Sequence, residues 1–178
     1  MNKNDRIKQY ENFMTFKKPI GAINVRILEK MGFFDAPAST KYHGAYLGGL
    51  FDHSLQTAKN LVALTEKLGL KWERPESPYI VGMFHDLCKC DNYLYSPLSA
   101  TIVHNPDIII PGHGDKSVIF LSQYVYLTNE EISCIRWHMG AFETDTKMWH
   151  HYGKAIEKYP NVLFTHTADM MASRIQGV

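Results

Sequence analysis

The stretch from Ser77 to Lys89, SPYIVGMFHDLCK, constrains the fold more than any other part of the chain. Ser77 followed by Pro78 is an N-cap and first-turn pair, and it predicts a helix running through to Lys89. Because its middle is almost wholly apolar, this helix must be covered on all sides, which makes it the centre of a helical bundle. Yet it carries His85 and Asp86. Burying an unpaired carboxylate costs several kcal/mol on transfer estimates of roughly 2–7 kcal/mol for polar groups and more for ions. Something must compensate Asp86: a buried salt bridge, a capped backbone amide, or a divalent cation.

The surrounding sequence supplies helices to cover it. Residues 3 to 15 read as a polar helix with Ile7, Tyr10 and Met14 on one stripe, a lid or brace. After Pro19, Ile23, Ile27, Leu28 and Met31 share a face that stops near Gly32, and the loop DAPASTKYHGAY follows. From Gly48 to Leu68 the residues Leu50, Leu55, Leu61, Leu64 and Leu68 recur at helical intervals before Gly69. Residues 91 to 111 break the pattern and predict a short hairpin or loose excursion. Helices resume over about 115–126, over 128–138 with capping-box spacing at Thr128 and Glu131, and over about 145–158 and 161–175. The expected class is all-α, one domain over 1–178, with an N-terminal helix in 1–20.

Composition narrows the functions. Formal net charge is +1, so bulk attraction will not hold a long polyanion, and extended nucleic acid is disfavoured though not excluded. A local basic rim of Lys17, Lys18, Lys41, Lys89 and Lys116 remains open. Cys88, Cys90 and Cys134 form no C-x-x-C pair, which fits reduced, buried thiols in a cytoplasmic protein. The N-terminus has no apolar signal region and no stretch is long enough for a membrane span, so no membrane partner is expected.

Five places concentrate metal-competent side chains: His53, His85 with Asp86, His113, His138 and Asp169. With nine His in the chain, a His-Asp dipeptide alone is close to coincidence. Asp169, however, repeats the problem of Asp86, since it sits in the apolar stretch VLFTHTADMMA. Two buried carboxylates among several His point to shared positive charge. Imidazole and carboxylate ligation with open positions suits Mn, Fe, Co or Ni, with Mg or Zn also accommodated, better than a closed cysteine-rich zinc site.

The order H…HD…H…H…D resembles the HD-domain superfamily of metal-dependent phosphohydrolases over residues 41–172. The flanking segments KYHGAYLGGLFDHS, HDLCK and HTADMMAS resemble that family too. The HD domain of certain bacterial 3′-to-5′ exoribonucleases, with a similar H-x-x-x-x-G-G-L-x-x-H-S run, is the nearest variety. Those enzymes also carry an OB-type module, which this sequence does not supply.

The resemblance implies that His53, His85, Asp86 and Asp169 hold a first metal, and that Asp86 bridges to a second held by His113 and His138. Two divalent transition-metal ions are thus expected. One departure bears on the second site: many binuclear members have His-His where this chain has Trp137-His138, so His138 must point inward for the site to form. Lys89, one helical turn beyond His85 and Asp86, is expected to neutralise a substrate phosphate, and His43 to contact substrate. Asp86 and Lys89 are the expected catalytic pair. Gly48 and Gly49 either let the loop approach the site or start the helix. His166 is read as an orienting partner of Asp169 or as a satisfied core residue, and His150 and His151 as an exposed face. The implied activity is phosphomonoester or phosphodiester hydrolysis of a nucleotide or related small phosphate ester. The alternatives are a di-iron oxygenase, since some of the superfamily use this ligand order with O2, and a non-catalytic metal-binding domain.

Overall fold

The computed structural model describes residues 1–15, 23–142 and 146–178. Lys17, Lys18 and Pro19, and Asp145 at the expected start of a late helix, lie outside them. The fold is mostly helical, with one two-stranded sheet among the described residues.

Helix α1, Lys3–Thr15, is a brace: Tyr10 and Met14 are buried, and the Tyr10 hydroxyl donates to the Ile23 carbonyl at 2.8 Å. Arg6, in the same helix, forks onto both oxygens of Asp52 at 3.0 and 2.9 Å. Helix α2, Val25–Met31, is capped by the Asn24 side chain and ends at Gly32 in the left-handed region. Helix α3 runs Gly49–Leu68 and stops at Gly69, as expected, although Leu68 is exposed in its last turn. Gly48 and Gly49 open it for steric reasons. Gly48 has φ +83°, and a Cβ there would collide with the Arg6 guanidinium; one on Gly49 would collide with the Gly44 carbonyl.

Helix α4, Ser77–Phe84, is the buried central element, and every residue but Tyr79 is buried. It lies so close to α3 that a Cβ on Gly82 would strike the Ala58 backbone. Around this contact Phe33, Phe34, Phe51, Phe84 and Tyr10 pack edge-on or tilted, with centroids 5.3–6.3 Å apart where they meet. Such rings dominate core energetics by area, and the buried apolar residues form one cluster from Tyr10 to Ala168.

The helix expected to continue to Lys89 stops at Phe84. Beyond His85 the amides of Leu87, Lys89 and Cys90 bond three residues back, to Phe84, Asp86 and Leu87. This tightened turn eclipses residues i and i+3, placing Lys89 directly over Asp86. A short helix α5, Lys89–Asn92, leads into strands β1, Tyr93–Ser96, and β2, Thr101–His104. They pair antiparallel with Tyr93 opposite His104, the hairpin outcome of the expected excursion.

Helix α6, Gly114–Ser122, and helix α7, Asn129–Arg136, follow, the latter with the Thr128–Glu131 capping box formed in both directions. Short 3-10 turns at Gly140–Phe142 and Thr146–Met148 precede α8, Trp149–Lys158. Helix α9, Asn161–Met170, continues into a π-helical turn, Met171–Ile175, where an unbroken α-helix was expected. The basic rim does not form from the described lysines. Lys116 is fully buried, bonded to Asp91 at 2.5 Å and Asn92 at 2.8 Å, and Lys89 is buried against Asp86; only Lys41 is exposed.

Candidate metal centre

Six side chains from five parts of the chain converge between α3, the turn after α4, and α9. His53 comes from the second turn of α3, His85 and Asp86 from the tightened turn, and Asp169 from the end of α9. His113 stands at the N-terminus of α6 and His138 just beyond α7. His53, His85 and His138 are fully buried and Asp86 is 2% exposed.

Ligand atoms about 2.1 Å from one ion lie about 3.0–3.4 Å from each other in octahedral or tetrahedral arrays. The first cluster is at or slightly beyond that spacing, from 3.1 to 4.0 Å. His53 Nε2 is 3.3 Å from His85 Nε2, 3.5 Å from Asp86 Oδ2 and 3.1 Å from Asp169 Oδ1. His85 Nε2 is 3.5 Å from Asp86 Oδ2 and 4.0 Å from Asp169 Oδ1. The other oxygen of Asp86 faces a second pair: Oδ1 is 3.3 Å from His113 Nε2 and 3.4 Å from His138 Nε2. Asp86 therefore divides its two oxygens between two pairs of imidazoles. His138 points inward despite having Trp137, not His, before it.

Hydrogen bonds on the far side of each ring set its tautomer. Nδ1 of His53 donates to the Val178 main-chain oxygen at 2.9 Å, that of His85 to Gly82 at 2.9 Å, and that of His138 to Ile135 at 2.7 Å. A carbonyl only accepts, so in the neutral rings the Nε2 lone pairs are left facing one another and two carboxylates. Lone pairs and anions at such separations repel unless a cation lies among them. His113 Nδ1 rests 2.8 Å from the Cys88 sulfur, a thiol whose pKa burial pushes up to about 12. Asp86 Oδ1 and His138 Nε2 are both buried without a hydrogen-bond partner, a costly arrangement in a dry interior. Spacing, tautomers and these two unmet atoms all fit a cation site, and three subsets, His53/His85/Asp86, His85/His138/Asp169 and Asp86/Cys88/His113, each bring ligand atoms within 4.8 Å.

The electrostatics agree. Burial opposes ionisation of Asp86, but the Lys89 ammonium, with His85 and His113, holds its carboxyl well below the usual range. Burial likewise works against Asp169, and the contacts with His53 at 3.1 Å and with His85 outweigh it, so its carboxyl lies below the usual range. Lys89 loses solvation, yet its contact with Asp86 at 2.6 Å raises its pKa. Burial pushes His113 down to about 3 against the pull of Asp86, and burial with nearby His53 and Lys89 takes His43 down to about 4. Both are neutral imidazoles at physiological pH, as metal ligands or acceptors need to be.

A cavity of about 160 Å³ opens over the cluster, with Asp86, Lys89, His113, Asp169 and His43 on its floor and sides. His43 belongs there as expected, its ring centroid 4.7 Å from that of His53 and its Nε2 buried without a partner. His166 also lines the cavity, but its Nδ1 donates to the His138 carbonyl at 2.7 Å, so it braces His138 and not Asp169. His150 and His151 are exposed.

Four contributors were missed in the sequence. Cys88, read as an inert core thiol, supports His113; being two residues beyond Asp86 was the available signal. Val178 supports His53, and the tail bearing it is held by Asn60, which donates to Gln176 at 2.8 Å and accepts from it at 3.2 Å. Asn60 lies two turns beyond His53 on the same face of α3. Arg174 reaches the cavity from the π turn, a local geometry with no clear sequence signature.

No protein-family model matches the chain, and no curated protein or solved structure matches it significantly. No helix among the described residues is long and apolar enough to cross a membrane.

Proposed function

We propose that the protein is a metal-dependent phosphohydrolase of the HD type, acting on a nucleotide or related small phosphate ester. The observation that carries this reading is the divided carboxylate of Asp86, with Oδ2 turned to His53 and His85 and Oδ1 to His113 and His138. His53, His85, Asp86 and Asp169 would hold one divalent ion, and His113, His138 and Asp86 a second. Bound there, Mn, Fe, Co or Ni ions supply Lewis acidity that lowers the pKa of water and offsets charge on a phosphoryl oxygen.

The chain's own groups do the rest. The main-chain acceptors of Val178, Gly82 and Ile135 fix three imidazoles with Nε2 toward the site, so no reorganisation is needed. Lys89 keeps its ammonium at the cavity floor beside Asp86, where it favours a dianionic phosphoryl group as charge builds in the transition state. His43, neutral above about pH 4, lines the cavity beside His53, where it would contact substrate. Burial of the cluster excludes bulk water and strengthens each of these interactions.

A panel of nucleoside mono- and triphosphates, cyclic nucleotides, short oligonucleotides and p-nitrophenyl phosphate, assayed with Mn or Fe and with a chelator, tests the reading. Metal-dependent phosphate release or strand shortening supports it. Iron-dependent oxygen consumption without phosphate release would replace it with an oxygenase. Metal retention with no turnover of the panel would leave a non-catalytic binding domain.

A further inference from the structure

Among the described residues, Lys89 and Arg174 are the cations that line the cavity, and they are differently committed. Lys89 is buried and bonded to Asp86 Oδ2 at 2.6 Å, so its charge is already matched at the floor. Arg174 is exposed at the rim and, among the described residues, makes no ion pair or hydrogen bond. It is set there by the π turn Met171–Ile175, the same turn whose Ser173 hydroxyl bonds back to the Asp169 carbonyl at 3.0 Å. π turns inside helices are often found at functional sites. Arg174 lies five residues beyond Asp169, on the order of 7 Å along the axis at about 1.5 Å per residue. Arg174 and Asp169 line the same cavity.

The same cavity has an apolar part of its lining: Met139, Met170 and Phe142, whose ring is half exposed at 52% and 6.3 Å from the His166 ring. An exposed aromatic ring in the same cavity as an uncommitted guanidinium fits a base and an anion, because rings stack on bases and the planar Arg fork matches phosphate. The geometry points to Arg174 as the binding site for a second, non-reacting phosphate, so that the substrate class is a nucleotide carrying two phosphoryl groups. The reacting group lies at the Asp86–Asp169 floor, and the second on Arg174. This inference rests on the phosphohydrolase reading and adds a substrate class to it.

The test compares calorimetric binding of AMP, ADP and adenosine 3′,5′-bisphosphate to wild type, Arg174→Ala and Arg174→Lys, both metal-free and reconstituted with Mn. Wild type should bind at least one of the two doubly phosphorylated nucleotides at least ten-fold more tightly than AMP. In Arg174→Ala that preference should shrink to two-fold or less, with AMP affinity changed less than two-fold, and Arg174→Lys should keep part of it. Because the Arg174 side chain makes no ion pair or hydrogen bond among the described residues, the melting temperature should change little. Equal affinities in wild type, a preference surviving in Arg174→Ala, or parallel loss of AMP would each overturn the assignment. If instead the preference and its Arg174 dependence are present but no phosphate ester is hydrolysed with any metal, the second-phosphate site stands and the hydrolase reading falls.

Discussion

Replacing Lys89 with Met should move stability and metal affinity in opposite directions. Lys89 and Asp86 are 6% and 2% exposed, and their charged atoms are 2.6 Å apart. At an effective dielectric of about 20, unit charges at that distance attract by about 6 kcal/mol, part of which is offset by desolvation of both groups. Removing one partner of such a buried pair leaves the other charge uncompensated, at a cost of about 3–5 kcal/mol. Met keeps most of the volume, so packing contributes little to that figure. For a chain of this size, about 2–4 °C per kcal/mol translates it into a melting temperature lower by about 6–20 °C in the metal-free protein. Divalent ions should then bind Asp86 more tightly, because the ammonium neither competes for Oδ2 nor repels them. Differential scanning fluorimetry across a Mn titration, with and without chelator, reads both effects. A metal-free Lys89→Met that melts within 2 °C of wild type, or that binds Mn no better, would refute the reasoning, and phosphate release should fall in the same variant.

Two further outcomes follow from the site. His43 and His113 are held neutral, with pKa values lowered from 6.5 to about 4 and about 3, so unfolding takes up protons below about pH 6.5. Their contribution is present above that pH and is lost as the pH falls toward their folded values, at about 1.4 kcal/mol per pH unit for each. Urea unfolding of the metal-free protein at pH 6 and pH 5 should therefore differ by about 2–3 kcal/mol, with roughly half that slope in His113→Asn; equal stabilities would contradict the burial of neutral rings. Separately, Gln176→Ala should loosen the tail that carries the Val178 oxygen to His53 and weaken the first ion by about 10–100-fold, the usual effect of losing a partner that orients a ligand. Chelator competition that shows less than a two-fold change would show the Asn60–Gln176 pair to be purely structural.

Much of this arrangement was legible from local patterns. Gly32, Gly69 and the Thr128–Glu131 box each mark a helix boundary through chemistry confined to a few residues, and they fall where expected. The ordered His and Asp residues were legible because buried carboxylates are rare and need compensation, and the structure brings all six together. What escaped depends on hydrogen-bond detail that periodicity does not encode, or on contacts far apart in sequence. The turn that ends α4 early is set by local hydrogen bonds three residues back, which apolar periodicity does not distinguish from an α-helix. Lys116 reads as a surface charge until Asp91 and Asn92, 25 and 24 residues away, are seen to cover it. Cys88 on His113 and Val178 on His53 are likewise products of tertiary packing.

The most direct measurement is the metal content of wild type, Asp86→Ala and His113→Ala, by elemental analysis after reconstitution and desalting. Wild type should hold up to two transition-metal ions, His113→Ala should keep the first and lose the second, and Asp86→Ala should lose both along with any activity, since its two oxygens serve both sites. Full metal content in Asp86→Ala, or no bound ion in wild type, would contradict the assignment of this cluster as a metal centre.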